Sequence, residues 1–394
     1  MAADRVTLPP ALRTLVEAGG TLVRRSSSGR FALGRTAALV EEDALPGALR
    51  AWPARLERAR AEVATPIAFK DVEKALKGAW GRPPGKVLDA LEREPVAVTP
   101  GAQVHRGERG GDGAAVAVKV LRPGLASAVR HDLALLDVLA APLGAVFGAM
   151  DAGTILREIR ESVLDELDLE HEASTQRSVR RTLRGVPELV VPTPDLELSS
   201  ASVLVSEWLD GPTLADARPG DPAAVARTLV AAHVAAARAG YVLTDPRPGH
   251  VVLLDRGGVG LLGAGVARPA DRDRVAAALD ALVAFRSEDQ DAFAAIVADR
   301  LALLPSASDA IKTYGWAAVV LDGLLGGEAR LDAPALAGVG ERALEHLTAA
   351  LALAATVAPR PADLAVARSV GQLTGVLSRL GATEDWGGLV LESA

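Results

Sequence analysis

The pattern of hydrophobic and polar positions predicts a short β-rich stretch between helical regions. Residues 115–121 read AVAVKVL, and a run so rich in β-branched and apolar residues predicts a buried strand. A shorter apolar run at 102–106 precedes it, and four glycines between residues 107 and 113 predict a turn that joins the two. We therefore expect an antiparallel hairpin over residues 102–121.

The spacing of apolar residues predicts the remaining elements. Apolar positions at helical spacing predict helices before the hairpin and one long helix after it. Two further apolar runs predict strands, and Asp221-Pro222 is typical of the start of a helix. The predicted helices cover 10–18, 37–40, 45–63, 69–80, 84–91, 154–183 and 222–239, with at least five more in 271–394; the predicted strands cover 189–194, 201–208, 251–254 and 259–262.

The chain has 394 residues, which suits two lobes or two domains better than one. We divide it into a helical N-terminal extension (1–94), a β-rich part with the long helix (95–210) and a helical part (211–394). Helices and an antiparallel sheet that occupy separate parts of the chain are typical of an α+β protein.

A lysine interrupts the most apolar predicted strand. The chain has only six lysines beside 37 arginines, so Lys119 in the middle of a strand is an unusual placement. A buried ammonium group needs an anion, and a phosphate or a carboxylate would serve. The alternative is that Lys119 extends to solvent from an edge strand.

The predicted long helix carries acidic residues along one face. They follow one another at steps of three and four, which places them on one side of a helix. A solvated acidic face explains the first two, whereas Glu166 and those at the end are better placed to pair with a cation such as Lys119. The five on that face are Glu158, Glu161, Asp165, Asp168 and Glu172.

Composition excludes several classes of function. The formal charge of −7 and 12 aromatic residues argue against nucleic-acid binding, which needs a basic surface and stacking groups. The absence of cysteine excludes thiolate chemistry and fits a reducing, cytoplasmic setting. The longest uncharged apolar runs, at 138–150 and 347–359, are shorter than the roughly 18 residues of a membrane span, so we expect a soluble protein.

Residues 241–265 form the second stretch with candidate chemistry. Asp245 lies on a loop stiffened by two prolines and followed by the predicted hairpin at 251–262. A carboxylate fixed in this way can act in catalysis or face a metal, and it can equally cap a turn. His233 on the preceding alanine-rich helix is interpreted as a packed or half-exposed residue and not as a ligand.

Taken in order, these elements resemble a protein kinase. More narrowly, the segments AQVHRG, VAVKVLRPG, ELDLEHEA, VLVSEWLDG and TDPRPG resemble the UbiB/AarF family of atypical kinase-like proteins over about residues 30–390. The resemblance implies a protein-kinase-like two-lobe fold. It would have a small antiparallel β-sheet N-lobe, a helical C-lobe and a helical N-terminal extension.

The resemblance assigns roles to individual residues. Lys119 would hold the α- and β-phosphates of ATP or ADP and pair with Glu172. Asp245 matches the catalytic-loop aspartate. Four more are implied in the nucleotide site: Glu166 and Asp168 of the family's Glu-x-Asp motif, and Glu207 and Leu209 of the hinge that meets adenine.

The departures from the family pattern concern the metal. Where the family has the asparagine and the Asp-Phe-Gly that bind magnesium, this chain has His250 and Gly263-Ala264-Gly265. Glycine offers no ligand and imidazole suits softer metals, so we expect no good magnesium site and a vestigial Asp245. The resemblance implies a Lys-x-Gly-Gln motif at 32–35, where this chain has Ala-Leu-Gly-Arg. Pro100 lies in the nucleotide loop, where it cannot donate an N–H.

Three functions remain open. The first is a pseudokinase that works as a binding or regulatory module and retains ATP or ADP without efficient phosphoryl transfer. The second is an active kinase or ATPase whose metal is held by another carboxylate, such as Glu166, Asp168 or Asp255. The third is a partner protein with a closed pocket. The resemblance implies a protein partner, a context in quinone or lipid metabolism and peripheral association with the inner face of the membrane.

Overall fold

The computed structural model describes residues 65–99, 101–133, 140–146, 148–149, 151–165 and 167–394. Within these residues a β-rich lobe precedes a helical lobe, and the predicted α+β, two-lobe fold is confirmed. The helices predicted before residue 64, the motif at 32–35, Pro100 and Glu166 lie outside the described residues.

The first lobe is built on an antiparallel sheet. Its strands have the order β1-β3-β4-β7-β6, and β2 pairs with β3. The predicted hairpin is confirmed as β3 and β4. The bounds are β1 Leu88–Leu91, β2 Ala97–Val98, β3 Ala102–Arg109, β4 Ala115–Leu121, β5 Leu189–Val190, β6 Pro194–Ser200 and β7 Val203–Glu207, with β5 outside this sheet.

Lys119 lies in the centre of this sheet. It stands opposite Val104 of β3 and Leu204 of β7, so the alternative that it extends from an edge strand is wrong. Val118 and Val120 are fully buried in the cluster that covers the other face of the sheet. Because side chains alternate along a strand, Lys119 points away from that cluster.

Five helices belong to the first half of the described chain. The helix predicted over Phe69–Trp80 is confirmed as α1, and its Val72 and Leu76 are fully buried against the sheet. The helix predicted over 84–91 is wrong, because residues 88–91 pair with β3 as a strand. The others are α2 Leu125–Asp132, α3 Ala140–Val146, α4 Ala152–Asp165 and α5 Leu169–Thr182.

The single long helix predicted over 154–183 is also wrong, since α4 ends at Asp165 and α5 begins at Leu169. Asp168 has an extended backbone and its side chain accepts hydrogen bonds from the backbone N–H groups of Glu170 and His171. A carboxylate that bonds two N–H groups in this way starts a new helix. The predicted row of five carboxylates along one helix is therefore broken.

The domain divisions at 94/95 and 210/211 stay predictions. The sheet nevertheless begins before residue 95, with β1.

The strand predicted at 189–194 is only partly right. Leu189–Val190 runs parallel to a strand of the helical lobe, and Pro194 begins β6, which the apolar pattern did not reveal.

The helical lobe contains the other predicted elements. Its first helix is capped by Asp221, as expected, and the hairpin near 251–262 is confirmed. The helices are α6 Pro222–Arg238, α7 Arg272–Arg286, α8 Gln290–Ala295, α9 Ala307–Val320, α10 Ala333–Glu345, α11 Leu347–Ala354, α12 Pro361–Leu380 and α13 Trp386–Glu392; the strands are β8 Tyr241–Val242, β9 Val251–Leu253, β10 Val259–Leu261, β11 Arg268–Pro269, β12 Glu328–Arg330 and β13 Thr383–Asp385.

The core of the helical lobe packs around α6. His233 on this helix is buried, and its Nδ1 lies 2.8 Å from the carbonyl oxygen of Leu229, so its interpretation as a packed residue is confirmed. No helix in the described ranges combines the length and the apolar character needed to cross a bilayer.

Candidate functional site

A cavity of about 350 Å³ lies between the sheet and the helical lobe. Apolar side chains line much of it, and the charged groups come from β4, α5, the end of β7 and the loop before β9. The apolar lining includes Val104, Ala117, Leu204, Val252 and Leu262, and the polar lining includes Lys119, Glu172, Asp245, Arg247 and His250.

Lys119 and Glu172 form an ion pair at one end of this cavity. The Lys119 Nζ lies 2.8 and 2.7 Å from the two carboxylate oxygens of Glu172. The Glu172 side chain is only 6% exposed, whereas that of Lys119 is 28% exposed and lines the cavity. The predicted pair is confirmed. Because the ammonium group is partly open to the cavity, it can still reach an anion there.

Asp168 lies at the N-terminus of α5, four residues before Glu172. Its Oδ1 accepts two backbone hydrogen bonds of 3.1 Å, which satisfies N–H groups that a helix start otherwise leaves unpaired. This capping contact gives Asp168 a structural role that requires no ligand. Its predicted role in the nucleotide site stays untested.

Replacing Asp168 separates these two roles. We expect Asp168→Ala to lower the free energy of unfolding by about 1 kcal/mol, because the helix loses its cap, and Asp168→Asn to lower it by much less, since asparagine caps equally well. Chemical denaturation measures both. A loss of nucleotide affinity in Asp168→Asn at unchanged stability would instead indicate a ligand role.

The predicted hinge follows β7. The backbone N–H of Glu207 donates to Thr193, and the Glu207 carboxylate accepts from the N–H and hydroxyl of Thr193. Leu209 is buried against Val252 and Leu254 beneath the cavity. Both predicted residues line the cavity, and their contact with adenine stays a prediction.

Asp245 is surrounded by basic groups. Its Oδ1 accepts a 2.6 Å hydrogen bond from Nε of Arg247 and lies 3.9 Å from Nη2 of Arg368 on α12. The Asp245 side chain is 9% exposed. Two guanidinium groups therefore neutralise the carboxylate that would accept a proton or bind a metal in an active kinase, as the resemblance implies.

His250 is held in one orientation by the same loop. Its Nδ1 lies 2.9 Å from the backbone oxygen of Asp245. Because a carbonyl only accepts, Nδ1 carries the hydrogen. Burial lowers the pKa of His250, and the nearby charges of Arg247 and Lys119 add to this effect against that of Asp245. The imidazole is therefore neutral at pH 7.

The imidazole of His250 fills the place where a side chain at position 263 would begin. A Cβ built on Gly263 would lie 2.7 Å from Nδ1 and 3.2 Å from Cε1 of His250. Gly263 also has a φ of +73°, a left-handed conformation that glycine adopts readily. The two departures from the family's metal site are thus one packing arrangement, in which the histidine excludes a side chain at 263.

Gly265 permits a second close approach. A Cβ at this position would lie 2.5 Å from both the backbone oxygen and Cγ of Glu172. The short turn Ala264–Val266 therefore packs directly on the helix that carries the partner of Lys119.

Thr99 and Ala102, which flank the undescribed residue 100 in the predicted nucleotide loop, are bonded to each other. The N–H of Thr99 donates to the oxygen of Ala102, and the N–H of Ala102 donates to the hydroxyl of Thr99. These two donors are thus used within the loop. Pro100 has no N–H, so Thr99, Pro100 and Ala102 offer no free backbone donor to a phosphate.

The described residues contain no group of three or more His, Asp or Glu side chains arranged to hold a metal ion. Sequence reasoning missed two residues that contribute to the site. Arg247 carried a detectable signal, a second charge on the Asp245 loop, whereas Arg368 is 123 positions away from Asp245 and no local pattern pointed to it.

A strand lysine paired with a helix glutamate, a hinge strand and an aspartate loop, placed between a sheet lobe and a helical lobe, define a protein of the kinase-like class. The chain belongs to the ABC1 atypical kinase-like family, whose model matches residues 61–297. This match confirms the resemblance to UbiB/AarF proteins.

Individual relatives agree with this assignment. A probable protein kinase UbiB of Marinobacter nauticus is 31% identical over 148 residues, which cover 37% of this chain and 26% of that protein. The uncharacterized protein slr0889 of Synechocystis sp. is 28% identical over 219 residues, covering 51% and 53%. The chain thus spans about half or less of the length of these curated relatives.

A solved structure shares the fold. The Rv3197–erythromycin complex from Mycobacterium tuberculosis superposes with a TM-score of 0.59 over 86% of this chain and 85% of that chain, at 20% sequence identity. At this identity the likeness concerns the fold alone.

Proposed function

We propose that this protein is a catalytically degenerate member of its family, a binding or regulatory module that holds ATP or ADP in the cleft between the lobes. Lys119 and the hinge around Leu209 would contact the nucleotide. Phosphoryl transfer would be inefficient, because this reaction depends on metal ions that neutralise the β- and γ-phosphates.

One observation carries the proposal. The His250 imidazole occupies the space needed by a side chain at 263, so neither family position offers an oxygen ligand for magnesium. The neutralisation of Asp245 by Arg247 and Arg368 also disfavours phosphoryl transfer, because the Asp245 carboxylate is then less able to act as a base or as a metal ligand.

The alternative of an active kinase or ATPase has less support. It needs another carboxylate at the metal position. Asp168 already caps α5, Asp255 is exposed beyond β9, and Glu166 lies outside the described residues. A module with a closed pocket has less support as well, because the cavity is about 350 Å³ and Lys119 lines it.

Calorimetric titration with ATP and ADP, together with an assay of ATP turnover, tests the proposal. We expect nucleotide binding that weakens about tenfold in Lys119→Ala and no turnover above background. Lys312→Ala, at an exposed lysine of α9, is the matched control. Magnesium-dependent turnover that Asp245→Asn abolishes would contradict the proposal.

Lys119→Ala leaves the buried Glu172 carboxylate without its cation, and this costs stability. The double variant Lys119→Ala/Glu172→Gln removes the uncompensated charge. Its melting temperature shows whether the variant is folded, so a loss of binding can be assigned to the missing ammonium group.

The cellular setting proposed here comes from the family resemblance. We propose a protein partner, a cytoplasmic location with peripheral association at the inner face of the membrane, and a context in quinone or lipid metabolism. Co-sedimentation with anionic lipid vesicles tests the membrane part. Failure to co-sediment at low ionic strength would count against it.

A further inference from the structure

Arg247 is a cation in the cleft for which the proposed function has no direct use. Its Nε donates to Asp245 Oδ1 at 2.6 Å, and its side chain is 14% exposed and lines the cavity. Over the ranges that the structure describes, this is the one hydrogen bond of the side chain. Its terminal NH₂ groups therefore remain available as donors to a ligand.

The balance of charge around the Asp245 loop favours an anion. Among the described residues, Arg247 and Arg368 stand against the single carboxylate of Asp245. Lys119 and Glu172 balance each other, and Glu207 adds one negative charge at the hinge, where it bonds to Thr193. A site that recruits a divalent cation needs an excess of negative charge and hard oxygen ligands. The described groups around Asp245 instead have a net positive charge, and the neutral imidazole of His250 lies beside them.

We propose that Arg247, together with Lys119, binds the diphosphate of the nucleotide directly and takes the place of the metal ion. A guanidinium group suits this task, because it stays charged and presents parallel donors that match phosphate oxygens. Asp245 then has a positioning role: its bond to Nε fixes the guanidinium at the wall of the cavity. This inference rests on the proposed function and specifies how that site recognises its ligand.

The inference reverses the expected effect of magnesium. In an active kinase the metal joins protein carboxylates to the phosphates and strengthens binding. Here magnesium bound to free nucleotide would neutralise the phosphate charge that Arg247 and Lys119 recognise. The carboxylates that line the cavity within the described ranges are already paired, Glu172 with Lys119, Asp245 with Arg247 and Glu207 with Thr193. Nucleotide should therefore bind more tightly in EDTA than in excess magnesium.

Titrations of the full chain with ADP and with pyrophosphate, each in EDTA and in magnesium, test this. We expect Arg247→Ala to weaken both ligands about tenfold or more in EDTA, with Arg247→Lys in between because a lysine keeps the charge but loses the fork. Arg256→Ala is the matched control, since Arg256 is exposed in the turn between β9 and β10. The melting temperature of each variant without ligand shows that it is folded.

The outcomes distinguish the inference from the proposed function. If wild-type protein binds ADP but Arg247→Ala binds it equally well, or if magnesium strengthens binding, the role of Arg247 is wrong and nucleotide binding stands. If pyrophosphate binds through Arg247 but neither ADP nor ATP binds, the proposed nucleotide function is wrong and the anion site stands. If the wild type binds none of the three, both are wrong.

Discussion

Gly263→Asp alone is expected to destabilise the protein, and His250→Asn added to it is expected to restore part of the stability and create a response to magnesium. The strain of aspartate at a φ of +73° remains in the double variant. A Cβ at 263 would lie 2.7 Å from His250 Nδ1, and forced overpacking of this kind costs about 1–3 kcal/mol. Asparagine at 250 removes the ring from that space. The double variant then has a carboxylate and an amide oxygen, ligands that suit magnesium.

Chemical denaturation of the wild type, both single variants and the double variant gives the coupling energy between the two positions, which we expect to be about 1–3 kcal/mol. Calorimetry with ADP gives the functional part. Magnesium should strengthen binding about tenfold in the double variant, whereas we expect it to weaken binding in the wild type. Equal stability of Gly263→Asp and wild-type protein would contradict the packing argument.

Acidification from pH 6.5 to pH 4 is expected to remove about 3 kcal/mol of stability through His233 alone. Burial lowers the pKa of His233 from 6.5 to about 4. The unfolded chain therefore binds a proton in this window that the folded protein does not. Stability is complete above pH 6.5 and is lost as the pH falls, by about 1.4 kcal/mol for each unit of pKa difference.

His233→Leu isolates this contribution. Leucine keeps an apolar side chain in the core and cannot be protonated, and the Nε2 atom that it removes has no hydrogen-bond partner among the described residues. The free energy of unfolding should fall less steeply for the variant than for the wild type between pH 6.5 and pH 4. Comparison at pH 8 measures the packing change by itself. Parallel curves would show that His233 titrates normally.

The fold was predictable where local pattern and tertiary contacts agree. The AVAVKVL run became the central strand β4, and Asp221-Pro222 started α6. Prediction failed where a single side chain or a distant pairing partner determines the secondary structure. The Asp168 carboxylate ends one helix and starts the next, and residues 88–91 form a strand because β3 lies beside them. The spacing of apolar residues reveals neither a capping hydrogen bond nor a pairing partner that is distant in the sequence.

Those residues of the candidate site that belong to recognisable sequence motifs were predictable. The order of motifs predicted the contact between Lys119 and Glu172, which are 53 positions apart. The sequence also showed that the metal ligands are missing. It could not show that His250 fills the space above Gly263, because this depends on a left-handed backbone and on the orientation of a ring. Arg368 reaches Asp245 from α12, and such a contact exists only in the folded chain.

The contact between Gly265 and Glu172 limits how the helix that carries Glu172, α5, can move. The turn at 264–266 rests directly on the backbone of that helix, so an outward movement of α5 would have to carry the turn with it. We expect α5 and this turn to move as one unit, which keeps Glu172 beside Lys119.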